Sequence, residues 1–398
     1  MPMQPSPIGP TRGPLTAEGD VVRCGTGFGG GCSRMPPGGG RGVPIGHALH
    51  RRGRPCASPC TPHTVHPQAS AARAVGPIGL GLHGHVPSST GPPTARDRSP
   101  PWRLALDLGV NLLDTADVYG AVGAAADTNG FGHNETLLGE AVRGRRDRAV
   151  IATKFGARPS DDGRVVYDGT PAYVRSACEA SLRRLGTDHI DLYYCHRLDP
   201  GVPVEETVGA MAELVTEGKV TALGLSNAGP DELRRAARTA PVSALQSEYS
   251  LWERGVEDEI LPLCRELGIT LVPYSPLGRA ALTGRVGPGT RLDGDDFRST
   301  LPKFSPGNLP HNLRLVDGLK RFARERGATP GQVALAWLLA QPYAVVPVPG
   351  TKRAEFLREN AAAADLTLEA GEVAALGALF APERVRGGQY GELPVAGR

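Results

Sequence analysis

The stretch "VNLLDTADVYG" (110–120) begins as an apolar run of strand length and ends in polar residues that include Asp114 and Tyr119. Similar apolar runs recur from about residue 104 onward, and helical patterns of about ten to fifteen residues separate them. This alternation is typical of βα units, in which each strand of a parallel sheet is followed by a helix. The stretch and its successors therefore predict an α/β fold.

Seven of these runs predict strands that are covered on both faces, because their residues are almost continuously apolar. The predicted strands span 110–116, 149–155, 189–195, 220–226, 242–248, 270–275 and 344–349. The run "VGPIGLGL" (75–82) is the candidate for an eighth strand. The architecture that this length and alternation favour is a (β/α)8 TIM barrel.

Cap residues and apolar spacing support the predicted helices. Thr170 and Thr329 each stand directly before a proline, the order in which an N-cap precedes proline in the first helical turn. In the segment 204–219 the spacing predicts one buried face that includes Met211 and Val215. We therefore expect Met211 to belong to the core and not to a cofactor site.

Charge and hydropathy restrict the kinds of partner. The 398 residues carry a formal net charge of +3, which indicates neither a nucleic-acid-binding surface nor an acidic tail. No apolar run is long enough to span a membrane, and the first residues lack the basic start and apolar core of a secretory signal. We expect a cytoplasmic protein with a small-molecule substrate and no nucleic-acid or membrane partner. The sequence does not indicate an oligomeric state.

The first part of the chain differs in composition from the rest. Residues 1–73 are rich in Gly, Pro and Arg, and the first 95 residues contain no Lys and only two acidic residues. Such a segment buries too little apolar surface to offset the conformational entropy that ordering removes. We therefore predict that residues 1–73 are disordered and that the barrel occupies residues 74–398.

The seven cysteines fall into two groups. The early group consists of Cys24, Cys32, Cys56 and Cys60. Their spacings do not match the paired short spacings of structural zinc sites, so we predict no metal site. The later group consists of Cys178, Cys195 and Cys264. These three lie within apolar patterns and are predicted to be buried free thiols.

Four titratable residues lie in the last part of three predicted strands or directly after them, at the end where a parallel barrel builds its site. They are Asp114, Tyr119, Lys154 and His196. A tyrosine hydroxyl has a pKa of about 10, and a nearby ammonium group lowers that value by stabilising the phenolate. A carboxylate in turn keeps the ammonium charged and in place. The group therefore predicts a site that gives a proton to a carbonyl oxygen. Asp117 lies in the same stretch and is expected to be a solvated loop residue.

From about Leu104 to about Tyr390 the sequence resembles the aldo-keto reductase superfamily, in its bacterial-type NADPH-dependent form. The matching motifs, in the order of that family, are "ALDLGVNLLDTADVYG", "NETLLGEAV", "VIATKFG", "SLRRLGTDHIDLYYCHR", "EGKVTALGLSN", "QSEYSL", "PYSPLGRAALTG" and "VPGTKRAEFLREN". The resemblance implies a (β/α)8 barrel that binds NADPH and reduces aldehydes or ketones. No G-x-G-x-x-G fingerprint opens a βα unit in this region, which argues against a Rossmann fold.

The resemblance also implies roles for individual residues. Tyr119 matches the general acid, and Lys154 and Asp114 match the pair that activates it. His196 matches the residue that orients the substrate carbonyl. The residues that match cofactor contacts are Ser226, Asn227, Gln246, Tyr274, Ser275, Leu277, Gly350, Thr351, Lys352, Arg353, Glu359 and Asn360. Among them, Lys352 and Arg353 offer cationic donors at a predicted helix start, which suits the 2′-phosphate of NADPH.

Residues 83–103 interrupt the resemblance where the family has its first barrel helix. Codons for His83 to His85 can contain Met-Gly-Met when they are read from the second base. Codons for Arg98 to Trp102 can contain Ile-Ala-Thr-Leu when they are read from the third base of the Arg98 codon. One hypothesis is that 83–103 is frameshifted and that 1–73 is upstream or out-of-frame translation, which leaves the first βα unit damaged. The alternative is a genuine lineage-specific extension followed by a divergent loop.

Two functions are consistent with these residues. The first is an oxidoreductase that reduces an aldehyde or ketone by hydride transfer from NADPH, with Tyr119 as general acid. The alternative is a barrel that binds nicotinamide nucleotide with little turnover, as a redox-sensing or channel-associated subunit. The presence of all four titratable residues favours the enzyme.

Overall fold

A ring of parallel strands forms the centre of the computed structural model, which describes residues 74–82, 101–120, 130–160, 165–292 and 296–390. The strands of these residues are β1 (Leu80–Gly81), β2 (Leu112–Asp114), β3 (Val150–Phe155), β4 (Ala157–Pro159), β5 (Val165–Tyr167), β6 (Ile190–Cys195), β7 (Val220–Ser226), β8 (Val242–Glu248) and β9 (Thr270–Tyr274). Seven of them pair in parallel in the order β1-β2-β3-β6-β7-β8-β9, whereas β4 and β5 form a separate antiparallel pair.

Residues 344–350, called the closing segment below, complete the barrel between β9 and β1. On one side the Val346 amide donates to the Leu271 carbonyl over 2.9 Å. On the other side the Gly79 amide donates to the Pro347 carbonyl over 2.9 Å, and Gly81 pairs with Gly350 in a parallel bridge. The predicted (β/α)8 barrel is therefore confirmed, with the closing segment in the eighth position.

Helices cover the outside of this ring. In the described part of the chain they are α1 (Pro101–Asp107), α2 (His133–Val142), α3 (Pro171–Leu185), α4 (Val204–Thr216), α5 (Pro230–Thr239), α6 (Ile260–Leu267), α7 (Leu309–Glu325), α8 (Pro330–Leu339), α9 (Ala354–Ala361) and α10 (Ala370–Leu379). The two predicted caps are confirmed, because the Thr170 and Thr329 hydroxyls accept hydrogen bonds from amides in the first turns of α3 and α8. On α4, Met211 is buried as predicted, but Val215 is exposed and Leu214 takes its place on the buried face.

The first βα unit is described over a short strand and the seven residues of a helix. β1 has two residues and α1 has seven, and α1 begins at Pro101. Residues 101–103, which the sequence assigned to the interrupted segment, thus belong to a helix whose Trp102 is buried against the core. Seven residues of a first helix are therefore present among the described residues. Residues 1–73 and 83–100, and with them the predictions of disorder and of a shifted reading frame, lie outside the described residues.

The side-chain alternation of the strands divides the core into two layers. One layer fills the inside of the barrel, where Leu112, Val150, Leu192 and Val272 are buried among their neighbours. The other layer lies between the strands and the helices. The cysteines of the later group, Cys178, Cys195 and Cys264, are all buried free thiols, as predicted. Within the described ranges, no helix has the length and apolarity needed to cross a membrane.

Candidate active site

The predicted site residues occupy inward positions at the carboxyl ends of the barrel strands. Inward positions alternate along each strand, so the buried Leu112 is followed by Asp114, and Ala152 is followed by Lys154. The same alternation places His196 after Tyr194, and Gln246 after Ala244. A polar layer therefore lies directly above the apolar interior of the barrel.

Lys154 is the centre of this polar layer. Its side chain is completely buried, and its Nζ lies 2.6 Å from Asp114 Oδ1 and 2.7 Å from the Thr115 carbonyl oxygen. Tyr119 Oη lies 3.5 Å from the same Nζ, at the outer limit of a hydrogen bond. Gln246 donates to the other Asp114 oxygen over 2.8 Å. Asp114 is thus held from both sides, and the lysine ammonium points at the tyrosine hydroxyl.

Burial and charge act in opposite directions on these groups. Burial alone would lower the pKa of Lys154, but the negative charge of Asp114, with Tyr119, raises it above the ordinary lysine value. Burial raises the pKa of Tyr119 above the ordinary tyrosine value, and the charge of Lys154 offsets only part of that rise. The sequence predicted that Lys154 lowers the pKa of Tyr119. This lowering is present, but burial raises the same pKa by more. Tyr119 is therefore protonated at neutral pH and can donate.

His196 borders the same cavity as Tyr119. The two rings meet edge to face, with centroids 5.8 Å apart. The cavity has a volume of about 340 Å³ and also receives Asp114 and Gln246, the size and mixed polarity of a site for a small molecule. The structure therefore brings together all four titratable residues that the sequence singled out.

Several of the predicted cofactor contacts also line this cavity. They are Ser226, Asn227, Gln246, Tyr274 and Ser275. Asn227 and Ser275 follow β7 and β9 directly and both have left-handed backbone, with φ of 56° and 50°. Such a conformation is uncommon outside glycine, and its strain is often found at binding sites. The Tyr274 hydroxyl donates to Asn227 Oδ1 over 2.9 Å, which ties the two strand ends together.

The remaining predicted cofactor contacts surround the start of α9. Gly350 pairs with β1, Lys352 and Arg353 are exposed, and Thr351 Oγ1 accepts from the Arg353 amide over 3.1 Å. Glu359 on α9 is bound by Arg285 and by Thr329, and Asn360 is buried. Leu277, after β9, packs against the core. These residues form a separate cationic and polar area beyond the closing segment.

Sequence reasoning missed several residues that line the cavity. They are Arg197, Arg279, Phe297 and Tyr390. Tyr390 belongs to the C-terminal segment, and its hydroxyl lies 2.8 Å from that of Tyr274. Because the single hydroxyl hydrogen of Tyr274 points to Asn227, Tyr390 is the donor in this pair. The sequence offered two signals, which are the position of Arg197 directly after His196 and the Pro-rich, polar stretch 296–312 around Phe297, which is typical of a loop over a pocket.

Asp117 is not the solvated loop residue that the sequence predicted. Its side chain is fully buried, and neither carboxylate oxygen has a hydrogen-bonding partner among the described residues. Burial, followed by the nearby charge of Glu135, raises its pKa well above the ordinary aspartate value. The local backbone explains this position. The Asp117 amide donates to the Lys154 carbonyl over 3.1 Å, and this hydrogen bond holds Asp117 against the end of β3.

Comparison with known proteins connects this geometry to a family. The family model described as "Aldo/keto reductase family" matches residues 77–380. A protein of Glycine max described as "Probable aldo-keto reductase 1" is 40% identical over 317 residues, which are 79% of this chain and 88% of that protein.

Two solved structures are also similar. A glycerol dehydrogenase from Gluconobacter oxydans has a TM-score of 0.71 and 29% identity, over 81% of this chain and 97% of that chain. An aldo/keto reductase from Klebsiella pneumoniae, in complex with NADP and acetate, has a TM-score of 0.60 and 31% identity, over 84% of this chain and 100% of that chain.

Proposed function

The chain belongs to the aldo/keto reductase family, and from this premise we propose that it reduces the carbonyl group of aldehydes or ketones with NADPH. Membership of the family makes it an oxidoreductase with a nicotinamide cofactor. The observation that carries the finer proposal is the buried Lys154 ammonium, which contacts Asp114 and points at the Tyr119 hydroxyl inside a cavity.

The residues around the cavity fit a nicotinamide nucleotide. Ser226, Asn227 and Gln246 offer amide and hydroxyl groups along one wall, which suit the carboxamide of the nicotinamide. Lys352 and Arg353 lie before the first turn of α9, where cationic side chains and free amides suit a phosphate. We therefore propose NADPH as the cofactor and not NADH, because the additional 2′-phosphate of NADPH can pair with Lys352 and Arg353.

Bound NADPH would supply the hydride that attacks the carbonyl carbon. The Tyr119 hydroxyl then transfers its proton to the carbonyl oxygen, and the product is the alcohol. Lys154 stabilises the resulting phenolate, while Asp114 keeps the lysine charged during the transfer. His196, whose ring meets that of Tyr119, holds the carbonyl oxygen within reach. One proton from solvent restores Tyr119, so each turnover consumes one NADPH and one proton.

The alternative function, a nucleotide-binding subunit with little turnover, has less support. It requires no proton donor, whereas this cavity contains a protonated tyrosine beside a buried ion pair. A small-molecule carbonyl substrate, the lack of nucleic-acid and membrane partners and a cytoplasmic location stay predictions.

The proposal is tested with purified full-length protein. NADPH absorbance is followed in the presence of para-nitrobenzaldehyde, whose carbonyl is activated, and the alcohol product is identified by chromatography. We expect oxidation of NADPH in proportion to the alcohol formed, and slower oxidation of NADH at equal concentration. Tight NADPH binding without oxidation, over a broad panel of aldehydes and ketones, would support the binding subunit instead.

A further inference from the structure

Arg197 is a cation at the cavity that the proposed reaction does not use. It follows His196 directly, is partly buried and lines the cavity. In the described part of the chain no carboxylate lies within ion-pair distance of its guanidinium group. The nearest acid in sequence, Asp199, accepts instead from the Gly169 and Gly201 amides. Arg197 therefore offers its charge to the cavity without a counterion from these residues.

Arg197 shares the cavity with Tyr274, because both residues line it. Burial raises the pKa of Tyr274, and the positive charge of Arg197 acts against that rise. Arg197 therefore borders the space in which a substrate would lie.

The position of Arg197 in the barrel separates it from the proposed phosphate contacts. It follows β6, the fourth position around the ring, whereas Lys352 and Arg353 follow the closing segment in the eighth position. The fourth and eighth positions of an eight-membered ring lie opposite each other. The phosphates of the cofactor would therefore be held away from Arg197.

The other arginine of the cavity differs from Arg197 because it is already paired. Arg279 Nη2 lies 3.3 Å from Glu248 Oε2, and its guanidinium group lies over the Phe297 ring at 5.2 Å from the ring centroid. Its charge is thus largely compensated within the protein. Of these two arginines, Arg197 is the one without a carboxylate partner among the described residues.

We propose that Arg197 binds a carboxylate group of the substrate, so that the preferred substrates are aldehydes or ketones that also carry a carboxylate. This inference rests on the proposed reductase function and names its substrate class. A guanidinium group donates two parallel hydrogen bonds to a carboxylate, which fixes orientation as well as distance. With His196 on the carbonyl oxygen and Arg197 on the carboxylate, neighbouring residues of one strand end hold both ends of the substrate.

The test compares two para-substituted benzaldehydes of different charge state. Para-formylbenzoate carries a carboxylate, whereas its methyl ester is neutral and one methyl group larger. The ester group withdraws electrons more strongly and makes its aldehyde the more reactive one, so a preference for the acid cannot come from carbonyl reactivity. We expect wild-type protein to reduce the acid with a kcat/KM at least about tenfold above that of the ester, mainly through a lower KM. Equal values for both aldehydes would overturn the inference and leave the reductase function intact. Failure to reduce either aldehyde would contradict the proposed function, and the inference with it.

Substitutions then assign the effect to Arg197. In Arg197→Met the ratio of kcat/KM for the acid to kcat/KM for the ester should fall to about one, and Arg197→Lys should keep part of the preference for the acid. Arg143→Met is the matched control, because Arg143 is an exposed arginine between α2 and β3, at the other end of the barrel. A preference that survives in Arg197→Met would overturn the inference.

Binding provides a readout that does not depend on turnover. Para-(hydroxymethyl)benzoate, the reduction product, forms a dead-end complex with NADPH-loaded protein and can be titrated by calorimetry. We expect it to bind at least about tenfold more tightly than its methyl ester in wild type, and equally in Arg197→Met. Equal affinities of the two compounds in wild type would overturn the inference.

Discussion

The Lys154 ammonium lies 2.6 Å from Asp114 Oδ1, and both side chains are almost completely buried. Loss of one partner leaves a buried charge without compensation, which costs about 3–5 kcal/mol in proteins. We therefore expect Lys154→Met to lower the free energy of unfolding by about 3 kcal/mol, measured by urea denaturation. The double variant Asp114→Asn/Lys154→Met should regain more than half of that loss, because neither charge remains. A double variant as unstable as the sum of the single ones would contradict this interpretation of the pair.

Tyr119→Phe tests the proton donor. The substitution removes one hydroxyl and keeps the ring that meets His196. We expect kcat for carbonyl reduction to fall by about a hundredfold or more, whereas the affinity for NADPH changes little, because the ring still fills its position. Single-turnover kinetics and a fluorescence titration with NADPH measure the two quantities. Tyr167→Phe is the matched control, since Tyr167 is an exposed tyrosine on β5. Unchanged turnover in Tyr119→Phe would refute the assignment.

The buried carboxyl of Asp117 makes stability depend on pH. Its pKa in the folded protein is raised above the ordinary value of 3.8, so the folded state holds this proton more tightly than the unfolded chain. Its contribution to stability is therefore present at low pH and is lost as the pH rises through the folded-state pKa. We expect Asp117→Asn to raise the free energy of unfolding by about 1 kcal/mol or more near pH 8, with a difference that shrinks toward about pH 4.

The matched control for this effect is Asp147→Asn, because Asp147 is an exposed aspartate. Its free energy of unfolding should follow that of wild type across the same pH range. If Asp117→Asn were less stable than wild type at both pH values, the carboxyl would have a partner that this structure does not show, and the predicted sign would be wrong.

Sequence patterns predicted the features that depend on neighbouring residues. Strand alternation and apolar runs predicted all barrel strands. Thr170 and Thr329 cap their helices as predicted, because an N-cap contacts only the first turn of its own helix. The two-residue period of strand side chains explains why Asp114 and Lys154 lie in contact. Both stand at inward positions, and β2 and β3 are adjacent in register.

Features that depend on distant parts of the chain could not be predicted in this way. Tyr390 reaches Tyr274 across 116 positions of sequence, and only the path of the C-terminal segment brings the two hydroxyls together. The burial of Asp117 depends on a backbone hydrogen bond to the next strand, which overrides the usual exposure of loop carboxylates. On α4 the spacing was correct, but the exposed Val215 shows that a pattern alone does not fix the edge of the buried face.

Asn227 combines a strained backbone with a side chain at the cavity, and two substitutions separate these properties. Its φ of 56° is left-handed, a conformation that costs alanine about 1 kcal/mol but costs glycine nothing. Both substitutions also remove the amide that accepts from Tyr274. We therefore expect Asn227→Ala to be less stable than Asn227→Gly by about 1 kcal/mol in urea denaturation without cofactor. NADPH titration should show weaker binding in both variants, because both lose the side chain that faces the cavity. If Asn227→Gly bound NADPH as wild type does, the role of Asn227 would lie in the backbone turn alone.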